Sequence, residues 1–132
     1  MFVDASAMVA ILTLEPEHTD LARRLDAVSR PVTSPLSLFE AALAIGRDQR
    51  LGLQRARALV EHFLQRSNIE TLPITAEAGS LALDAFERYG KGRHPARLNF
   101  GDCFAYAMAK QHGVPLLYKG DDFAETDLAW PG

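Results

Sequence analysis

The chain has 132 residues, 48% of them hydrophobic and 23% charged, with a formal net charge of −3 at pH 7. That is the size of one domain, residues 1–132, with a single buried core, and the composition of an ordinary soluble globular protein. No apolar run approaches the roughly 18 residues of a membrane span, and a single cysteine excludes an internal disulfide or a cysteine-based zinc site.

Met1–Asp4 reads as a short buried strand that ends on an acid, not as a signal peptide, so a cytoplasmic protein is expected. Ala5–Leu14 starts a helix capped by Asp4 or Ser6. Pro16 opens a second helical stretch to about Val28. Arg30–Thr33 is a strand, and Ser34-Pro35 restarts a helix that runs to about Arg50, where Leu51-Gly52 breaks it. Leu53–Arg66 is a helix with Leu53, Ala56, Leu59, Val60 and Phe63 on one face. Ile69–Ile74 is a strand, Thr75 caps a helix that ends near Tyr89-Gly90, and Gly90–Asn99 is a polar loop. Phe100–His112 is a helix stopped by Gly113, Val114–Tyr118 a strand, Asp121 to about Thr126 a turn or short helix, and Leu128–Trp130 a last edge strand. Strands alternating with helices imply an α/β fold whose parallel sheet is covered on both faces. Ligands bind such sheets at the carboxyl ends of the strands, near the topological switch point.

Acids cluster at that end. Asp4 follows the first strand, Asp121 and Asp122 follow a late one, and Asp102 opens a helix. Glu40 lies early in another helix. Each has a structural explanation. Asp4 suits a helix cap. Ser37-Leu38-Phe39-Glu40 matches a capping box, although Pro35 starts the helix earlier and would leave Glu40 inside it. Asn99 caps a helix that carries Asp102 at its third position, where the helix dipole favours an acid. Of Asp121 and Asp122, one caps the turn and the other faces the pocket, and spacing does not say which. Ser6 could bond a carboxylate or a metal-bound water, or be the cap itself. Gly101 removes bulk, as a ligand near the backbone would require. Clustered carboxylates raise one another's pKa unless a cation sits among them, and oxygen-only ligands suit Mg²⁺ or Mn²⁺.

Other chemistries are weaker. His18, His62, His94 and His112 are scattered, no glycine-rich phosphate loop or nucleophile elbow is present, and Cys103 reads as packing. Arg88, Lys91, Arg93 and Arg97 form a basic stretch that either contacts phosphates or solubilises a loop.

Met1-Phe2-Val3-Asp4-Ala5-Ser6-Ala7, the mid-chain Glu40, Leu98-Asn99-Phe100-Gly101-Asp102-Cys103 and Leu117-Tyr118-Lys119-Gly120-Asp121-Asp122-Phe123, in this order, resemble the PIN-domain family, and within it the VapC ribonuclease toxins of bacterial toxin–antitoxin pairs. The resemblance covers essentially the whole chain. It implies a three-layer α/β/α sandwich with a central parallel sheet. It also implies a Mg²⁺- or Mn²⁺-dependent endoribonuclease acting on structured RNA such as transfer RNA, and a homodimer held by a VapB-type antitoxin. By position, Asp4, Glu40 and Asp102 become the acidic triad. Asp122, the acid before Phe123, becomes the fourth member, with Asp121 as the alternative, and Ser6 takes the hydroxyl position of the first motif.

The expected site is then one or two cations bridging Asp4, Asp102 and the fourth acid, with Glu40 at the edge and Arg93, Arg97 and Lys119 holding the RNA backbone. An apolar groove for the partner is expected from Leu36, Phe39 and Leu43 together with Ile11, Leu12 and Leu14. Two rival readings are a receiver-like phosphoacceptor domain, which lacks an acid pair after Asp4 and an acid at Thr75-Ala76, and a binding module whose acids only cap helices.

Overall fold

Side-chain alternation along very short strands divides the molecule into layers. Phe2 and Leu116 bury on one face of the sheet, while Val3 and Leu117 bury on the other. The computed structural model describes residues 1–130. Its strands are β1 (Phe2–Val3), β2 (Val32–Thr33), β3 (Glu70–Thr71) and β4 (Leu116–Leu117), all parallel in the order β3-β2-β1-β4. In register, Phe2 stands opposite Val32 and Leu116, and Val3 opposite Leu117.

Each crossover carries two helices: α1 (Ala5–Leu12) and α2 (His18–Asp26), then α3 (Pro35–Asp48) and α4 (Leu53–Arg66), then α5 (Ala76–Tyr89) and α6 (Phe100–His112). Helices α1 to α4 pack on the Val3 face through residues such as Met8, Leu21, Ile45 and Val60. Helices α5 and α6 pack on the Phe2 face through Ala82, Ala85, Ala105 and Met108. The result is the α/β/α sandwich. The chain steps outward from β1 to β2 to β3, then returns to place β4 on the other side of β1. The switch point therefore lies between β1 and β4.

Helices α4 and α6 have the bounds their sequence patterns imply. Helix α6 stops at Gly113 because that residue adopts φ 62°, a conformation glycine enters without strain. Other expectations need correction. The first helix ends at Leu12, and Leu14 turns to φ 57°. Pro16 sits in a turn before α2, which starts at His18. Helix α3 ends at Asp48, short of Arg50 at φ 53°. Each strand keeps only two of its expected residues, although backbone bonds run on to flanking ones, as from the Leu72 N–H to the Thr33 carbonyl at 2.9 Å. Leu128–Trp130 is no strand; the Trp130 N–H bonds the Tyr118 hydroxyl at 3.1 Å instead of a neighbouring strand.

The loop from 90 to 99 is less polar than its composition. Ala96 and Leu98 are fully buried. The Lys91 N–H donates to the Leu98 carbonyl at 2.9 Å, and the Leu98 N–H to the Tyr89 carbonyl at 3.0 Å. This pins the loop on α5 and sets the start of α6. Leu98→Ala should lower the unfolding free energy by about 2–5 kcal/mol in urea titration. Lys91→Ala, at an exposed side chain of the same loop, should change it by no more than ~0.5 kcal/mol.

Candidate active site

Asp4 leaves β1 with its backbone N–H donating to the Leu117 carbonyl of β4 at 3.0 Å. That bond holds it at the switch point. Its side chain is the N-cap of α1, accepting from the Ser6 N–H at 3.0 Å and the Ser6 hydroxyl at 2.6 Å. The Ser6 oxygen in turn accepts the Lys119 N–H at 3.0 Å. Ser6 thus ties the ends of β1 and β4 together and orients the Asp4 carboxylate. Of the roles open to it, bonding a carboxylate is the one observed; the cap is Asp4.

Ser34 caps α3, accepting the Ser37 N–H at 3.1 Å, with Pro35 in the first turn. The Ser37 capping box does not form, and Glu40 lies in the second turn of α3, half-buried. It reaches the amino end of α6. There Asn99 is the cap, as expected, and a capping box forms with Asp102: Asn99 Oδ1 accepts the Asp102 N–H at 2.9 Å and Asp102 Oδ2 accepts the Asn99 N–H at 3.1 Å. The space that Gly101 leaves open is filled by the Glu40 carboxylate, not by a ligand.

A cleft of about 500 Å³ is lined by Asp4, Ser6, Glu40, Asn99 and Asp102, together with Glu15, Arg47, Asp48 and Lys119. Asp122 lies close enough to act electrostatically on Asp4 and Asp102, whereas Asp121 acts on Lys119. Both aspartates are exposed, and neither lines the cleft. Lys119 Nζ pairs with Glu15 at 3.0 Å and Glu17 at 3.8 Å, and Arg47 with Asp48 at 3.0 Å. Arg93 and Arg97 do not line the cleft. Arg93 lies over the Phe86 ring on α5. Glu15, Arg47 and Asp48 were not legible as cleft residues: Glu15 meets Lys119 across 104 positions of sequence, and nothing local signals that contact.

A model of the PIN domain matches residues 1–128. The chain belongs to the PIN-domain family. Relatives align along nearly its full length. It is 46% identical over 139 residues to a VapC ribonuclease of Rhizobium meliloti, covering 96% of this chain and 98% of that relative. It is 42% identical over 129 residues to ribonuclease VapC of Mycolicibacterium smegmatis, covering 98% of each. It is 40% identical over 129 residues to ribonuclease VapC30 of Mycobacterium tuberculosis, covering 98% of this chain and 96% of that relative. Among solved structures, the VapC20 toxin of Mycobacterium tuberculosis, described as cleaving the sarcin–ricin loop, is similar with a TM-score of 0.71 over 93% of this chain and 92% of that one. At 21% identity that likeness concerns the fold alone.

In this PIN domain the acids perturb one another. Burial raises the Asp4 carboxyl above its ordinary range; the Ser6 bonds oppose the rise and the Asp122 charge adds to it. Glu40 is raised to about 7 by burial, then by Asp4 and Asp102. Asp102 is raised to about 7 by burial against the Asn99 N–H, with Asp4 and Asp122 adding to the rise. Among the described residues no group of three acid, histidine or cysteine side chains stands together closely enough to hold a metal ion. The acids of the cluster are nonetheless oxygen donors, in a cleft whose two cations pair with Glu15 and Asp48 of its wall. Such a set suits a hard cation that keeps several of its waters and takes one or two carboxylates directly.

These raised values have a consequence for stability. Without divalent ions, the folded state holds protons on Glu40 and Asp102 that the unfolded chain releases near 4.5 and 3.8. Stability should therefore fall as pH rises from about 4 to about 7. Solvent screening leaves on the order of 1 kcal/mol per group. Thermal melts in a chelator at pH 5.5 and pH 8 should show the lower Tm at pH 8, and Asp102→Asn should remove much of the difference.

Proposed function

We propose that this PIN domain is a metal-dependent endoribonuclease and the toxin of a toxin–antitoxin pair, with Asp4, Glu40, Asp102 and Asp122 as its catalytic acids. One observation carries the reading: acids from separate segments meet in one cleft at the switch point, and there they raise one another's pKa. Full-length similarity to VapC ribonucleases supports it. A receiver-like domain has no such support, since the position after β3 holds Thr75 as the cap of α5 and no acceptor acid. A module whose acids only cap helices does not account for Glu40, which caps nothing and still points at Asp4 and Asp102.

Mg²⁺ or Mn²⁺ is the proposed cofactor, held by Asp4 and Asp102; when bound, such an ion acidifies water and offsets charge on the phosphate. Ser6 keeps Asp4 aimed into the cleft, and the Asn99 N–H, donated to the Asp102 carboxylate, opposes the rise that burial imposes on that acid. Glu40, near half-protonated at neutral pH, is placed to take the proton from the attacking water. Lys119, at the cleft wall, is the cation best placed to exchange its carboxylate partners for an RNA phosphate. Arg93 and Arg97 would contact RNA only beyond the cleft. None of the histidines lines the cleft, so the 2′-hydroxyl has no histidine pair to activate it. Water is then the nucleophile, leaving a 5′-phosphate and a 3′-hydroxyl.

A VapB-type antitoxin is the proposed partner. Of the residues expected to form its groove, Ile11 and Leu12 pack on the core and Leu36 is half-buried, while Leu14, Phe39 and Leu43 are exposed and offer it apolar surface. The proposed homodimer would cover the other apolar face, where Leu83 is 74% and Phe100 68% exposed between α5 and α6. Transfer RNA is the proposed substrate class.

The decisive variant is Asp102→Asn. Incubated with total RNA and Mg²⁺, it should cleave at least ~100-fold more slowly than the parent, with a metal-free Tm equal or higher. End-group analysis of the parent's products should find 5′-phosphates. Parent-like cleavage by Asp102→Asn, or 2′,3′-cyclic ends, would overturn the reading.

A further inference from the structure

The Glu40 carboxylate, like that of Asp122, has no polar partner among the described residues. Asp4 is bonded by Ser6 and Asp102 by Asn99, whereas among the described residues no hydrogen bond or ion pair fixes the Glu40 carboxylate. What it rests against is Gly101, the second residue of α6. A Cβ at position 101 would fall 2.5 Å from Glu40 Cδ and 2.7 Å from Oε1, and nearer still to Oε2. Carbon atoms in contact prefer roughly 3.5–4.0 Å. Any residue but glycine would push the carboxylate aside.

Glycine is not there for its backbone freedom. Gly101 is helical and is absent from the residues with positive φ, unlike Gly113 and Gly120. In a helix glycine is disfavoured relative to alanine. Its value at this point is the missing side chain. Because the atoms a Cβ would meet are the far end of a flexible side chain, the fold accepts alanine and the carboxylate gives way.

We propose that Gly101 is a positioning residue: its bare Cα seats the Glu40 carboxylate against the amino end of α6 and so fixes where that acid stands over the cleft. The role in cleavage rests on the ribonuclease reading above; the seating of the carboxylate does not.

The test is Gly101→Ala in the full chain, beside Gly46→Ala in α3, where a Cβ meets Leu51 and Ala56 at an ordinary 3.5–3.6 Å. Gly101→Ala should keep or raise the Tm, as should Gly46→Ala. The crystal structure of Gly101→Ala should show the Glu40 carboxylate displaced by about 1 Å or more. Cleavage of RNA by Gly101→Ala should fall by at least ~10-fold in kcat, while Gly46→Ala should cleave like the parent. The pair is then examined by a double-mutant cycle. Asp at position 40 is one methylene shorter and clears the new Cβ, so Gly101→Ala should cost nothing further in an Glu40→Asp background. An unmoved Glu40 carboxylate in Gly101→Ala, parent-like cleavage by that variant, or costs that simply multiply would overturn the proposal. If the parent cleaves no RNA, the ribonuclease reading fails, and the crystal structure alone decides the seating.

Discussion

Asp4 is 4% exposed at the end of β1 and shares its surroundings with Glu40, Asp102 and Asp122. Taking one carboxylate out of water is costly, and setting others beside it without a free cation costs more. The rest of the structure answers to this crowding. Two apolar layers clamp the sheet so that the acids cannot spread apart. The parallel topology sends the ends of β1 and β4 to the same edge, and the chain's reversal there opens the cleft. Nearby cations are present but committed: Lys119 to Glu15 and Glu17, Arg47 to Asp48. With no cation bonded to them, the acids of the centre hold their protons to higher pH than ordinary carboxylates.

Capping and the proposed chemistry use the same atoms. Asp4 caps α1 and Asp102 completes the capping box of α6. Each helix amino end supplies N–H donors that steady a carboxylate in the orientation the cleft needs. On sequence alone the two roles look like competing explanations of the same residues; in the structure they are one arrangement. Glu40 differs, since it comes from within a helix and is placed by shape, against a glycine, instead of by hydrogen bonds.

What was legible in the sequence follows from how local each signal is. Thr75, Asn99 and Gly113 announce helix ends within a few residues, and α5 and α6 were readable for that reason, α4 from its apolar face. Asp4, Asp102 and the Asp121–Asp122 pair stood out as candidates because each follows a strand or opens a helix; Glu40, inside a helix, matched only a capping box. Strand lengths were not legible, because pairing depends on partner strands distant in sequence. The segment 128–130 was misread because an apolar run at a chain end resembles a strand, whereas Trp130 instead bonds Tyr118 and lies under Arg24. The Lys119–Glu15 pair and the Glu40–Gly101 contact join distant segments, so no local spacing could report them. The placing of Arg93 over Phe86 likewise depends on how a loop folds back on α5.

On the proposed reading, the four acids act as one electrostatic unit that takes a divalent cation. The most direct measurement is proton release when Mn²⁺ binds the metal-free protein at pH 7, read by calorimetry in buffers of different ionisation enthalpy. With Glu40 and Asp102 both raised to about 7, each is near half-protonated, so binding should expel about one proton in total. The release should decline toward zero at pH 9 and shrink in Asp102→Asn. Binding with no proton release at pH 7, or no binding at all, would contradict the account.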